Sequence, residues 1–361
     1  MNASECLPEQ VWYLYPLTIA TLCVSCVIGA LGNAMVLWLT FFRMTRTVTT
    51  VWFINLALAD FVVLVTLPIT IYYVVSGQWP LEKWTCKFYM AFLALNFFVS
   101  IYLLVLISVD RCILVFCPVW ARNHRTVRRA SWLALAVWLV AAAACFPYLQ
   151  FRDIVPAKGC NHCYFNFSLG GGGDQREKSR ALRRQREVIV SHFLLGFLVP
   201  LAIIGTCAHL IRTRLRRDGW AHTSQPKRML VVLVTAFFVF WFPFNIALLV
   251  QLEKLVEPTN PFFPKLMLIL WATFSLGCLN SCLNPFLYVF IGRDFRERCF
   301  QSLSSTLTRA FGEEGFIAHI VPEVKPPGKN GSLQVDATSV TLEALPPLPG
   351  VLPSNSPSKA L

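Results

Sequence analysis

Charge is what this chain has least of. Lysine, arginine, aspartate and glutamate together make 14% of its 361 residues, where a soluble domain carries roughly 25%. So few charges cannot cover a water-facing surface, which excludes a soluble fold. Acids are scarcer than bases, 19 against 32, for a formal net charge of +13. Such a balance can serve nucleic acid, but here the bases sit in connections between apolar runs, where membrane topology accounts for them. The thirteen cysteines are scattered, mostly inside apolar runs, and do not read as a zinc framework. The start of the chain is acidic, with Glu5 and Glu9, and lacks the basic opening of a cleavable signal. No internal repeat is visible, and a single acid lies mid-span where ion pathways need several, which disfavours a transporter or channel. No Ser/His or paired-Asp set lies in the spans, so an intramembrane enzyme is not expected.

Apolar length is what the chain has in quantity: 56% of it is hydrophobic. Seven apolar spans can be drawn, over roughly 17–41, 51–75, 87–112, 132–149, 188–211, 229–252 and 265–290. At ~1.5 Å rise per residue these suit helices crossing a ~30 Å hydrocarbon core. The expectation is an all-α membrane protein: an outer N-terminus over 1–16, a seven-transmembrane helix bundle over 17–291, an amphipathic eighth helix over 292–311 and a disordered cytoplasmic tail over 312–361.

Short connections set the orientation. No Lys or Arg precedes the first span, whereas the odd connections carry Arg43 and Arg46, then Arg122, Arg125, Arg128 and Arg129, then six bases from Arg212 to Arg228. Odd connections are therefore cytoplasmic and the N-terminus lies outside. Asn2 and Asn166 then head glycan acceptors, while Asn330 faces the cytosol. Cys6, Cys86, Cys160 and Cys163 fall where an oxidising exterior reaches them. Asp174 to Glu187 resists the rule, with six bases on an outer loop of about 150 to 187. It reads either as a solvated basic surface behind the flexible Gly170–Gly173 run or as a lid that draws in an anionic ligand. Arg293 to Phe300 reads as an amphipathic helix on the inner leaflet, with Cys299 a candidate for palmitoylation.

Cys86 to Trp120 is the expected central pillar. Its Asn96 and Ser100 are costly against lipid and should face other helices. Asp110-Arg111 at its inner end reads either as an ordinary charged helix end or as a functional pair. Asp60 is a carboxylate in mid-span, expensive unless paired or protonated. Pro243 and Pro285 each remove a backbone hydrogen bond and kink their helices.

Taken in order, Gly32-Asn33, Leu56-Ala57-Leu58-Ala59-Asp60, Asp110-Arg111, Trp138, Pro200, Phe237 with Phe240-Trp241-Phe242-Pro243, and Asn284-Pro285-Phe286-Leu287-Tyr288 resemble the rhodopsin-like G-protein-coupled receptors, over roughly residues 15–300. The runs Asn123-His124-Arg125-Thr126-Val127, Leu198 to Ile204 and Cys163-Tyr164-Phe165-Asn166-Phe167 are similar to the chemoattractant branch. That branch includes the formyl-peptide receptors, the chemoattractant-type prostaglandin receptor and, most similar of these, the receptor assigned to D-series resolvins.

The resemblance implies a receptor rather than an enzyme, at the plasma membrane, with a heterotrimeric G protein of the inhibitory class and arrestin as partners and a lipid or peptide agonist. It implies a disulfide between Cys86 and Cys163, with Cys160 paired to Cys6 or free. It places an allosteric Na⁺ among Asp60, Ser100, Asn280, Ser281 and Asn284, with Asn33 close by. Coupling and switching fall to Asp110, Arg111, Val119, Phe237, Trp241, Asn284, Pro285 and Tyr288. A ligand would touch Leu93, Phe97, His192, Trp241, Phe244, Asn245, Leu248, Gln251, Leu270 and Phe274. This lining suits a chemoattractant-type or pro-resolving lipid carrying hydroxyls. Where aminergic receptors place an aspartate stands Leu93, and where formyl-peptide receptors hold pocket charges stand Ala94, Val188 and His192. No deep Arg or Lys is expected there; Arg176 to Arg186, Lys254 and Lys265 at the mouth would meet a ligand's carboxylate. Ala208 stands where most of the family has a tyrosine, which leaves room for an arrestin-biased or scavenging receptor.

Overall fold

A long apolar run can satisfy its backbone inside a bilayer only as a helix or in a closed barrel. The computed structural model describes residues 13–157, 159–168, 175–217, 225–254 and 262–291. Among these, seven helical segments are long and apolar enough to cross a membrane. The expected eighth helix and tail, Asn2, Cys6 and Cys299 lie outside the described residues.

The first span joins α1 (Leu14–Val24) to α2 (Ala30–Phe42) through a π-helical turn at Ser25–Gly29. A Cβ on Gly29 would sit 2.8 Å from both Leu64 and Cys282, so a glycine lets three helices meet there. α3 (Val48–Ser76) starts at a reciprocal Thr47–Thr50 capping box and stops at Gly77, φ 68°. α4 (Lys83–Phe116) is the pillar: 72% of its membrane window is buried, against 28–61% for the others. α5 (Pro118–His124) opens on a proline and α6 (Val127–Ala144) on a Thr126 cap. The expected fourth span, 132–149, breaks at Cys145, and Pro147 lies in the first turn of the short α7 (Phe146–Phe151).

Much of the outer loop expected over 150–187 is regular structure. β1 (Arg152–Ala157) and β2 (Cys160–Phe165) form an antiparallel hairpin, Ile154 opposite Cys163, turning at Gly159 with φ 80°. The Cys86–Cys163 disulfide holds the hairpin to the start of α4. Lys83 Nζ adds a 2.9 Å ion pair to Asp153, and Trp79 N donates to Asn161 O at 2.7 Å. Cys160 is disulfide-bonded as well.

The basic stretch is likewise helical. α8 (Gln175–Phe193) runs through a π turn at Leu194–Leu198 into α9 (Val199–Arg217), carrying Arg176 to Arg186 on turns that precede the apolar part. Glu177 meets Arg180 and Arg184, and Glu187 meets Arg183, at the three-, four- and seven-residue spacings that put side chains on one helix face. α10 (Gln225–Lys254) and α11 (Phe263–Ile291) contain Pro243 and Pro285. The core lies around α4, with Phe98, Phe237, Leu64, Leu67, Ile101 and Leu103 almost wholly enclosed.

Candidate functional site

Under the hairpin, between α4, α8, α10 and α11, is a cavity with about 670 Å³ of empty volume, its mouth included. Leu93, Phe97, His192, Trp241, Phe244, Leu248, Gln251, Leu270 and Phe274 line it. Asn245, expected with them, does not. It is fully buried, and its Nδ2 donates to Trp241 O at 2.9 Å within α10. The next residue along a helix points about 100° away from Phe244, into packing rather than the cavity.

Several lining residues escaped sequence reasoning: Met90, Tyr148, Arg152, Tyr164, Phe165, Met267 and Trp271. Three come from the end of the hairpin where Arg152 lies opposite Phe165, with Tyr164 beside it. No deep cation was expected, and that expectation is corrected by Arg152. Its guanidinium carbon lies 3.9 Å from the Phe165 ring centroid and 5.7 Å from that of Tyr148. Nη1 donates to Cys163 O at 3.1 Å, while the buried Nε has no partner. Burial pulls the Arg152 pKa down against the opposing effect of Tyr148, Tyr164 and Tyr73, and the delocalised fork stays protonated all the same. Gln251 Nε2 donates to Tyr164 Oη at 2.5 Å. Burial lifts that phenol to about 12, with Arg152 and Gln251 pulling the other way. Burial also lowers His162 to about 4.

His192 divides between the two readings its sequence position allowed. Its ring stacks 4.9 Å from Phe97 and Nδ1 meets Tyr148 Oη at 2.9 Å, yet buried Nε2 has no partner. Lys265 is half-buried at the start of α11, and the Lys254 side chain lies outside the described residues.

Trp241 stands against the cavity and the kink. Its ring is 4.7 Å from Phe97, 5.7 Å from Phe244, 6.0 Å from Phe274 and 6.1 Å from Phe237. It rests on α11 where a Cβ on Gly277 would come within 2.8 Å of three ring carbons. Asp60 is fully enclosed: Ser281 Oγ and Asn284 Nδ2 each donate to its carboxylate at 2.7 Å. Asn96 and Ser100 approach it without closing a bond of good geometry. Asn33 Nδ2 ties α2 to α11 through Ser281 O at 2.9 Å.

At the far end of α4 Asp110 and Arg111 do not pair as the adjacent motif suggested. Arg125, from the end of α5, takes both carboxylate oxygens of Asp110, at 2.7 and 3.0 Å. Arg111 Nη2 and Arg125 Nη2 both donate to Thr49 Oγ1, at 3.3 and 3.2 Å. Neighbouring residues on a helix face different directions, and the fork fifteen residues on has the better approach. Val119 is exposed on α5. Pro285 and Tyr288 lie in α11, the Tyr288 side chain outside the described residues. Asn166 is half-buried after β2, its Oδ1 accepting from Ser168 N.

The pattern of the family described as "7 transmembrane receptor (rhodopsin family)" matches residues 32–288. "Probable G-protein coupled receptor 32" of Homo sapiens is 57% identical over 318 residues, covering 88% of this chain and 89% of that protein. "N-formyl peptide receptor 2" of Macaca mulatta is 40% identical over 301 residues, 82% of this chain and 86% of its own. "N-formyl peptide receptor 3" of Pongo pygmaeus is 35% identical over 317 residues, 86% and 91% of the two chains.

Proposed function

The chain belongs to the rhodopsin family of seven-transmembrane receptors, and on that premise we propose that it senses a chemoattractant-type or pro-resolving lipid mediator. Membership makes it a multi-pass membrane receptor of the formyl-peptide-receptor branch, with a ligand and a G protein as partners, rather than an enzyme. We place it at the plasma membrane with its N-terminus outside, coupling to an inhibitory-class G protein and recruiting arrestin.

The cavity's lining carries the ligand class. Aliphatic and aromatic side chains dominate it, with Arg152, His192 and Gln251 among them and no acid among the described residues. A long apolar chain bearing oxygens fits such a lining, whereas an ammonium finds no counter-ion. A ligand pressing on Trp241 would act on the Pro243 kink beneath it and bias two packings of α10. The inner ends of the helices would then open, freeing Arg111 for the G protein while Val119 fills an apolar pocket on that partner. The Na⁺ implied by the resemblance fits the oxygens near Asp60, since Ser100 Oγ beside it is buried without a partner. Bound with Asp60, Ser281 and Asn284, it would supply the positive charge that steadies the carboxylate.

Peptide recognition is the second reading, favoured by the names of the two relatives at 35–40% identity. Nucleotide exchange driven by oxygenated fatty acids and not by N-formyl peptides is the expected outcome. The reverse pattern overturns the lipid reading. Arrestin recruitment without exchange would make the protein a biased or scavenging receptor.

A further inference from the structure

Arg152 is a half-buried cation on the wall of an apolar chamber, without an anion. Among the described residues its side chain forms no ion pair, since neighbouring Asp153 is engaged by Lys83 outside. The aromatic faces and the Cys163 carbonyl satisfy part of the guanidinium, but Nε stays buried with its hydrogen directed at no acceptor. A purely structural role, pinning the hairpin to itself, accounts for Nη1 and leaves Nε and the net charge unexplained. A buried charge without a counter-charge is unfavourable, and an incoming anion relieves that.

Other polar groups on the wall have the same sense. Trp271 lines the cavity, and its Nε1, an obligate donor, is buried without a partner. His192 Nε2 is unpartnered too, and carries the hydrogen in the tautomer that accepts from Tyr148 at Nδ1. Among the described residues the lining holds no carboxylate to receive a donor from a ligand. The chamber therefore offers hydrogens and asks for acceptors, with its one fixed cation at the hairpin end.

We propose that Arg152 is the receptor for the ligand's carboxylate, the guanidinium fork taking the acid under the hairpin while an oxygen further along the chain accepts from His192 or Trp271. This rests on the lipid reading above and adds which atoms recognise the acid. It also displaces the mouth lysines from that role: Lys265 and the basic turns of α8 guide an anion inward, and Arg152 holds it. Arg suits this better than Lys, because two parallel N–H groups match a carboxylate's geometry.

The test compares long-chain oxygenated fatty acids with their methyl esters, in purified receptor and in cells. Displacement binding is read beside nucleotide exchange, with N-formyl peptides in parallel. Wild-type receptor should prefer acid over ester by about 10- to 100-fold, the worth of a hydrogen bond to a charged group. Arg152→Gln should bring the acid down to the ester's affinity and leave the ester unchanged. Should that variant fail to reach the surface, Arg152→Met carries the same comparison, since it replaces the buried charge with an apolar group. Dissociation of the acid from wild type should be the same at low and high salt, because an enclosed pair is poorly screened. An unchanged acid preference in Arg152→Gln, or salt-sensitive dissociation, overturns the Arg152 assignment and leaves the lipid reading standing. If neither acids nor esters bind wild type while formyl peptides do, the lipid reading falls and the assignment with it.

Discussion

Single residues decide what holds the ends of α4 and α5 together. Asp110 is gripped by Arg125, not by Arg111. A charge-assisted bidentate contact of this kind is worth about 1.5–3 kcal/mol. Arg125→Ala should therefore raise basal nucleotide exchange as Asp110→Asn does, and the double variant should add little to either. Additive effects in that cycle would mean the two act separately. Arg111→Ala should abolish exchange with ligand binding nearly intact. Both arginines stood in motifs visible in the chain, yet the pairing was not legible, because sequence adjacency says nothing about which fork reaches a carboxylate. Arg152 went unread for a similar reason: it looked like a loop residue until the hairpin turned it inward. His162 adds a pH dependence. Its ring lies between Tyr73 and Phe263, and burial holds its pKa near 4 against an ordinary 6.5. The unfolded chain takes up that proton first as pH falls, so stability is lost from about 6.5 down to about 4, by up to on the order of 3 kcal/mol. Thermal unfolding of purified receptor across that range should show the slope, and His162→Asn should flatten it.

At the scale of elements, the spans were legible and their outer connections were not. An apolar run of bilayer length identifies a helix whatever it packs against, so α3, α4 and α11 could be drawn to within a few residues. The hairpin lacks such a signal: Arg152 to Phe165 mixes charge, proline and glycine, and its pairing is fixed by the Cys86–Cys163 bond and by Trp79. Cys86→Ser and Cys163→Ser should each lose surface expression, because the cover of the cavity loses its tether; two well-expressed variants would contradict this. The basic turns of α8 were taken for loop because charge masks a helix when only apolar periodicity is followed. Exposed Arg180, Arg183 and Arg186 now stand on a rigid extension of the fifth span rather than on a mobile lid. Neutralising the three should slow association of an anionic ligand and weaken its salt dependence, leaving dissociation unchanged. Faster dissociation would show direct contact instead.

At the scale of the whole molecule, a polar core lies along α4 between the chamber and the Asp110–Arg125 pair. Asp60 sits in that core, touching α11 through Ser281 and Asn284, while Trp241 leans on the same helix at Gly277. A cation held by Asp60 and its neighbours would bind the packing in which those oxygens converge, and an agonist bearing on Trp241 would bind the other. Two ligands that prefer different packings must weaken each other, by the same factor in both directions. Raising Na⁺ at constant ionic strength, with choline as the substitute, should therefore lower agonist affinity, and coupling of this kind typically spans about 5- to 150-fold. Asp60→Asn removes the formal charge and keeps an amide of similar size, so agonist affinity in that variant should no longer respond to Na⁺. The control is Asn33→Ala, which breaks a link between α2 and α11 while leaving the carboxylate in place, and it should keep the response. If Asp60→Asn is well expressed and its agonist affinity still follows Na⁺, the cation acts elsewhere, and the polar core is a packing element without a ligand of its own.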